Sequence, residues 1–179
     1  MVSSEDLNSA FSNWGVEITR ANAGQVAEKI PQPVARYVLS EVGIPERLGD
    51  SFFFHDFSRS CLTVGELLRE VGGTEEPEVS HFIYLGSGVG GDTVLLDSLT
   101  GEIFSWKGGE VRRVASGLSN FVDLLYLIQV RMNDMEQLEE GENVELPDVF
   151  HRLLIDMSIL DSAVGGAADY WRDLLESTF

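Results

Sequence analysis

Cysteine, histidine and positive charge are all scarce in this 179-residue chain, and each scarcity removes a class of function. The single cysteine, Cys61, cannot close an internal disulfide, which agrees with a reducing compartment, and a lone thiol reads as a small buried hydrophobe. His55, His81 and His151 are scattered with no His-x-x-x-His pair, so no metal is expected. Lysine and arginine total 12 against 30 aspartates and glutamates, a formal charge of −18 at pH 7. A surface of that sign repels phosphate backbones, which argues against direct nucleic-acid binding, while it attracts and steers basic proteins. Long apolar runs are missing too. The best stretch, Phe121 to Val130, is interrupted by Asp123 and Gln129 and falls far short of the roughly 20 apolar residues that a membrane span needs. Met1-Val2-Ser3-Ser4-Glu5-Asp6 is acidic and polar where a secretory signal is basic and then apolar, so the expected location is the cytoplasm, away from the membrane.

What is present suffices for a core. Hydrophobic residues make up 44% of the chain, and its length fits one domain over 1–179. The chain is organised around His81 to Trp106. Apolar Phe82-Ile83-Tyr84-Leu85 runs into Gly86-Ser87-Gly88-Val89-Gly90-Gly91; Asp92-Thr93-Val94-Leu95-Leu96-Asp97 follows; then Ser98-Leu99-Thr100-Gly101 turns into Glu102-Ile103-Phe104-Ser105-Trp106. Short β-branched and aromatic runs separated by glycine read as strands meeting at turns. With Val111 to Ala115 they predict an antiparallel meander, in which Gly86, Gly88, Gly90, Gly91 and Gly101 serve as structural turn residues.

Helices are predicted on both sides. Ser3 with Asp6 makes an S-x-x-D cap for a first helix bearing Leu7, Ala10 and Phe11. Val16 to Thr19 alternates as a half-buried strand, and Phe52-Phe53-Phe54 reads as a strand or extended connector whose rings serve the core. Pro33 opens a helix with Val34, Val38, Leu39 and Val42 at helical spacing, closed by Gly43. Leu62 to Val71 suits a short helix or helical turn closed by Gly72-Gly73. Ser119 is the expected N-cap of a long one, with Phe121, Leu124, Leu125, Ile128, Met132 and Met135 facing inward. Further helices run from Asp148 to about Met157 and from Asp161 to about Ser177. Ahead of these two, beyond the long helix, Asp134 to Asp148 is acidic with no lysine or arginine. No repeat has a period of roughly 20 to 50 residues.

Catalytic and cofactor motifs fail on their context. The glycine run formally matches G-x-G-x-x-G, but a dinucleotide site needs a helix at its third glycine, and Asp92 to Leu96 reads as strand. No Lys-Ser or Lys-Thr pair follows to make a P-loop, and the acidic segment lacks the spacing of a calcium loop. Ser87 does not satisfy G-x-S-x-G, and Cys61 has no family-specific setting beside His55 or His81. The expectation is no enzyme, no catalytic residue and no cofactor.

The order of these segments resembles a known family. Helix, strand and Pro-started helix ending Val42-Gly43-Ile44-Pro45 are followed by Phe52-Phe53-Phe54, Tyr84 to Asp92 and Val94 to Ile103. Then comes Val114-Ala115-Ser116-Gly117-Leu118-Ser119-Asn120-Phe121. This is similar to the SUKH superfamily with its Smi-type fold, and within it to the fourth immunity subfamily, over about residues 30 to 130. The chain departs from that pattern at Gly88-Val89-Gly90-Gly91, where the family often carries Gly-Gly-Gly or Asp-Gly-Gly, and the acidic tract after Met132 matches no family motif. The resemblance implies an α+β fold, with a central, mainly antiparallel twisted sheet of about five or six strands flanked by helices and a helical C-terminal third. It further implies a non-catalytic, cytoplasmic bacterial immunity protein that neutralises a cognate toxin domain of a polymorphic toxin system, a basic nuclease or deaminase. A regulatory protein-interaction scaffold of the same fold is the alternative it leaves. Joined to the −18 charge, the toxin reading makes Asp134, Glu136, Glu139, Glu140, Glu142 and Glu145 the expected partner contact, because charge is concentrated there.

Overall fold

The computed structural model describes residues 1–74, 77–88, 90–136 and 146–179. Helix α1 (Ser4–Ser12) is capped by Ser3, whose hydroxyl accepts the Asp6 amide at 3.1 Å, and it buries Leu7, Ala10 and Phe11. Strand β1 (Ile18–Thr19) pairs antiparallel with β2 (Ile44–Pro45). The chain between them forms α2 (Ala23–Lys29) and α3 (Pro33–Tyr37), which passes into a π-helical turn over Val38–Val42. Gly43 ends that turn at φ +92, where an added Cβ would stand 2.7 Å from the Thr19 carbonyl oxygen. Positive φ and close backbone approach both demand glycine there.

Six strands follow in sequence order as an antiparallel sheet: β3 (Arg47–Leu48), β4 (Phe52–Phe54), β5 (Ile83–Gly88), β6 (Thr93–Leu96), β7 (Ile103–Lys107) and β8 (Glu110–Ala115). Helix α4 (Val64–Glu70) lies in the β4–β5 connection and starts with a capping box formed by Thr63 and Glu66. The remaining helices are α5 (Leu118–Glu136), α6 (Leu146–Leu160), α7 (Ala163–Gly166) and α8 (Ala168–Thr178). The architecture is therefore α+β, with antiparallel sheets and a helical C-terminal region, as the resemblance implied.

Strand alternation gives the large sheet two faces. One carries Phe52, Phe54, Val94, Leu96 and Ile103 into the main core with α5 and α8. Trp171, fully buried, is its largest side chain; its indole N–H donates to the Val114 carbonyl at 3.0 Å, and its ring meets Phe121 at 6.0 Å. The opposite face holds a smaller cluster of Val64, Val79, Phe82 and Leu95, bordered by Tyr84, Phe104 and Trp106.

Two helix expectations require correction. Ser119 lies inside α5, which begins at Leu118, because the Phe121 amide already donates to the Gly117 carbonyl at 2.9 Å. The Ser116 amide is taken instead by Asp161, distant in sequence, at 2.6 Å. The last predicted helix is broken at Ala167, whose φ of −125 separates α7 from α8.

Candidate functional site

The conspicuous glycines divide between strand and turn. Gly86 and Gly88 lie in β5, not in the turn. A Cβ on Gly86 would stand 2.4 Å from the Phe53 carbonyl oxygen and 2.8 Å from Phe54 Cα, and one on Gly88 would lie 3.2 Å from the Phe52 ring. These glycines let β4 approach and seat Phe52 against bare backbone. Gly90 and Gly91 occupy the turn into β6, where the Gly91 amide donates to the Gly88 carbonyl at 3.0 Å; Gly101 ends the β6–β7 turn, donating to the Asp97 carbonyl at 2.8 Å. Strand β6 follows the glycine run, so the helix N-terminus that a pyrophosphate requires is not there.

Beside these glycines a groove of about 660 Å³ runs between α8 and the sheet. Its sheet wall follows from register. Ser105 pairs with Arg112 and Lys107 with Glu110, so these alternate residues of β7 and β8 share one face, next to Gly88, Gly90 and Asp92. Its helix wall is the stripe Asp169, Tyr170, Asp173, Leu174 and Ser177, at helical spacing. Lys107 Nζ lies 2.9 Å from Asp92 Oδ2. That hydrogen bond and the Asp92 charge, with a smaller contribution from Asp173, hold the Lys107 ammonium above the ordinary lysine range. Arg112, Glu110 and Asp173 have no ion-pair partner among the described residues.

Tyr170 is the unusual member of this wall. It is only 8% exposed, its ring packs on Trp171 at 5.3 Å, and its hydroxyl has no hydrogen-bond partner among the described residues. Burial, and then the charge of Asp92, push its phenol well above the ordinary range, so it stays neutral.

The acidic tract expected from sequence is elsewhere. Asp134 and Glu136 are exposed at the C-terminal end of α5, where Asp134 lies 3.5 Å from Arg131, and neither lines the groove. Glu139, Glu140, Glu142 and Glu145 lie outside the described residues. The sequence reading missed the groove, although the Asp169-Tyr170-x-x-Asp173-Leu174 spacing of α8 was a signal that could have raised it.

Candidate reactive groups are occupied or inert. Cys61 is 3% exposed, and burial pushes its thiol up to about 11. His55 Nε2 lies 3.0 Å from the Ser60 carbonyl oxygen, and partial burial pushes the imidazole below its ordinary range. Among the described residues no group of three or more histidines, cysteines and carboxylates could hold a metal ion, and no helix is long and apolar enough to cross a membrane.

A family model described as SUKH-4 immunity protein matches residues 2–177. No curated protein and no solved structure matches the chain.

Proposed function

We propose that this chain, which belongs to the SUKH-4 immunity protein family, binds a toxin domain stoichiometrically and blocks it without catalysis. The observation that carries the reading is the family match over residues 2–177, from α1 to α8. The toxin's chemistry follows from charge. An inhibitor at −18 complements the basic cleft with which a nuclease or deaminase holds a phosphate backbone. The protein then acts in the bacterial cytoplasm against a toxin of a polymorphic toxin system. Asp134, Glu136, Glu139, Glu140, Glu142 and Glu145 supply the long-range attraction, since a concentration of one sign of charge in the sequence acts mainly on the rate of encounter.

The test is the association rate of chain and toxin domain, the latter sought in the neighbouring genes, as a function of salt. Steered binding slows steeply as ionic strength rises. Charge reversal at Glu139 and Glu140 should lower that rate and leave dissociation nearly unchanged. A rate indifferent to salt contradicts the basic-toxin reading, and unchanged kinetics in the double variant removes the acidic tract from it.

A further inference from the structure

We propose that β8 is a docking edge for a second copy of this chain, the two β8 strands running antiparallel with Val111 opposite Val111 so that the two sheets become one. This goes beyond toxin binding and does not depend on it.

The edge is open over four residues. Strand β8 is last in the six-stranded sheet, so it has a neighbouring strand, β7, on one side only. Glu110 to Arg113 are all exposed, Val111 at 42%. Gly108 and Gly109 have φ of +59 and +87, a two-residue type I′ turn, and Lys107 pairs with Glu110 across it. The pair that closes such a turn exchanges its main-chain hydrogen bonds, and bonded pairs then alternate along the ladder. Glu110 and Arg112 therefore turn their main chain to β7, while Val111 and Arg113 turn theirs outward. Among the described residues no main-chain group outside the sheet bonds either one. Past Arg113 the edge is closed. Val114 and Ala115 are buried, α7 packs against the strand, and the Val114 carbonyl is taken by Trp171. At the opposite edge, β3 is only two residues long, with Leu48 fully buried. An exposed strand with unpaired main chain is a template for another strand.

The side chains identify that strand. Outward groups fall at Val111 and Arg113, so an antiparallel copy has three registers. Val111 on Arg113 sets Arg112 opposite Arg112, and Arg113 on Arg113 sets that arginine against itself; like charges directly opposite are destabilising. Both registers also run the copy's strand past Val114, into the closed part of the edge. Val111 on Val111 does neither. It sets Glu110 opposite its partner's Arg112, twice by symmetry, and these are the two charged side chains of β8 without an ion pair among the described residues. Arg113, held 2.6 Å from Glu102, meets its partner's Gly109, and the partner's hairpin turns at Gly108, level with Val114. On the other face Val111 meets Val111 beside Trp106, its neighbour on β7. A patch that complements itself about a two-fold axis is what a closed pair of identical chains requires.

Charge opposes the union at long range, since each copy carries −18. The pair therefore forms at high protein concentration and tightens as salt screens the repulsion, the reverse of the salt effect on toxin binding.

Sedimentation equilibrium of the full chain, up to millimolar concentration, should show monomer and dimer in exchange, with more dimer at high salt. Glu110→Arg and Arg112→Glu should each weaken the dimer about tenfold or more. The double variant E110R/R112E should restore it, which a merely structural effect would not do. Val111→Pro removes only an outward N–H, so it should melt near the wild type and stay monomeric. In ¹⁵N spectra the Val111 amide should exchange more slowly as concentration rises, while the Arg112 amide, already bonded to β7, should not change. A wild-type chain that stays monomeric throughout overturns the proposal, as does a double variant no better than either single one, or a Val111→Pro protein that pairs like the wild type. Protection of the Val111 amide only on adding a toxin domain would give the edge to a toxin strand and overturn the second copy. The sedimentation measurements use the chain alone, so they decide the matter whether or not it binds a toxin.

Discussion

Replacing Gly86 by alanine tests the close approach of β4 to β5, on which the position of Phe52 and one wall of the groove depend. The new Cβ would lie 2.4 Å from the Phe53 carbonyl oxygen and 2.8 Å from Phe54 Cα. Both atoms are backbone, so no rotamer change relieves the overlap. Strand β4 is three residues long and pairs with β5 only through Phe52–Gly88, Phe53–Ser87 and Phe54–Gly86. Moving it away lengthens those hydrogen bonds and lifts Phe52 and Phe54, 2% and 9% exposed, from the core. Overpacking costs about 1–3 kcal/mol and a weakened ladder bond about 1 kcal/mol more, giving roughly 3 kcal/mol. At roughly 2–4 °C per kcal/mol for a chain of this size, the melting temperature should fall by about 6–12 °C. Gly88→Ala is the internal control. Its Cβ would lie 3.2 Å from the Phe52 ring, which asks for a side-chain shift of roughly a few tenths of an ångström and no backbone displacement, and alanine recovers part of the strand penalty of glycine. Its change should stay within about 1 kcal/mol. Urea and thermal melts followed by circular dichroism compare the pair. A Gly86→Ala protein melting with the wild type, or a Gly88→Ala protein that is the weaker of the two, refutes the reasoning.

Asp161→Ala should remove the carboxylate that accepts the Ser116 amide at 2.6 Å and the Ala163 amide at 2.9 Å, costing about 2 kcal/mol in a denaturant melt; a loss below about 0.5 kcal/mol would contradict these bonds' contribution. The Cys61 thiol should resist aromatic disulfide reagents at pH 8 in the native protein and react fully in guanidinium, and rapid native labelling would show that it is not buried. Burial raises the folded thiol from 9.0 to about 11, so the folded chain keeps a proton that the unfolded chain releases. The corresponding stability is intact below pH 9 and lost as pH rises to about 11. Cys61→Ala should flatten stability against pH in that window, and an unchanged slope would count against the burial argument.

Local chemistry made much of the fold legible in sequence. Ser3 and Asp6 mark α1, Pro33 and Gly43 bracket the α3 region, and apolar alternation with glycine turns lays out the meander. What stayed hidden depends on partners far along the chain. Gly86 and Gly88 look like turn residues until β4 is placed against them. The chain entering α5 is tied at Ser116 to the distant Asp161, and Ser119, attractive as a local cap, lies inside the helix. The groove joins the β5–β6 turn and the β7–β8 hairpin to α8, and no spacing rule connects Asp92 with Tyr170. Composition directed attention to the densest run of acidic residues. The structure adds a groove lined by Asp50, Asp92, Glu110, Asp169 and Asp173, which the sequence disperses over more than 100 residues.

The most direct measurement of the central claim is the activity of the cognate toxin domain, titrated with purified chain. The account predicts a linear fall to complete loss at one equivalent, with the two proteins eluting together as a complex. Full toxin activity at several equivalents, with the proteins eluting apart, would contradict it.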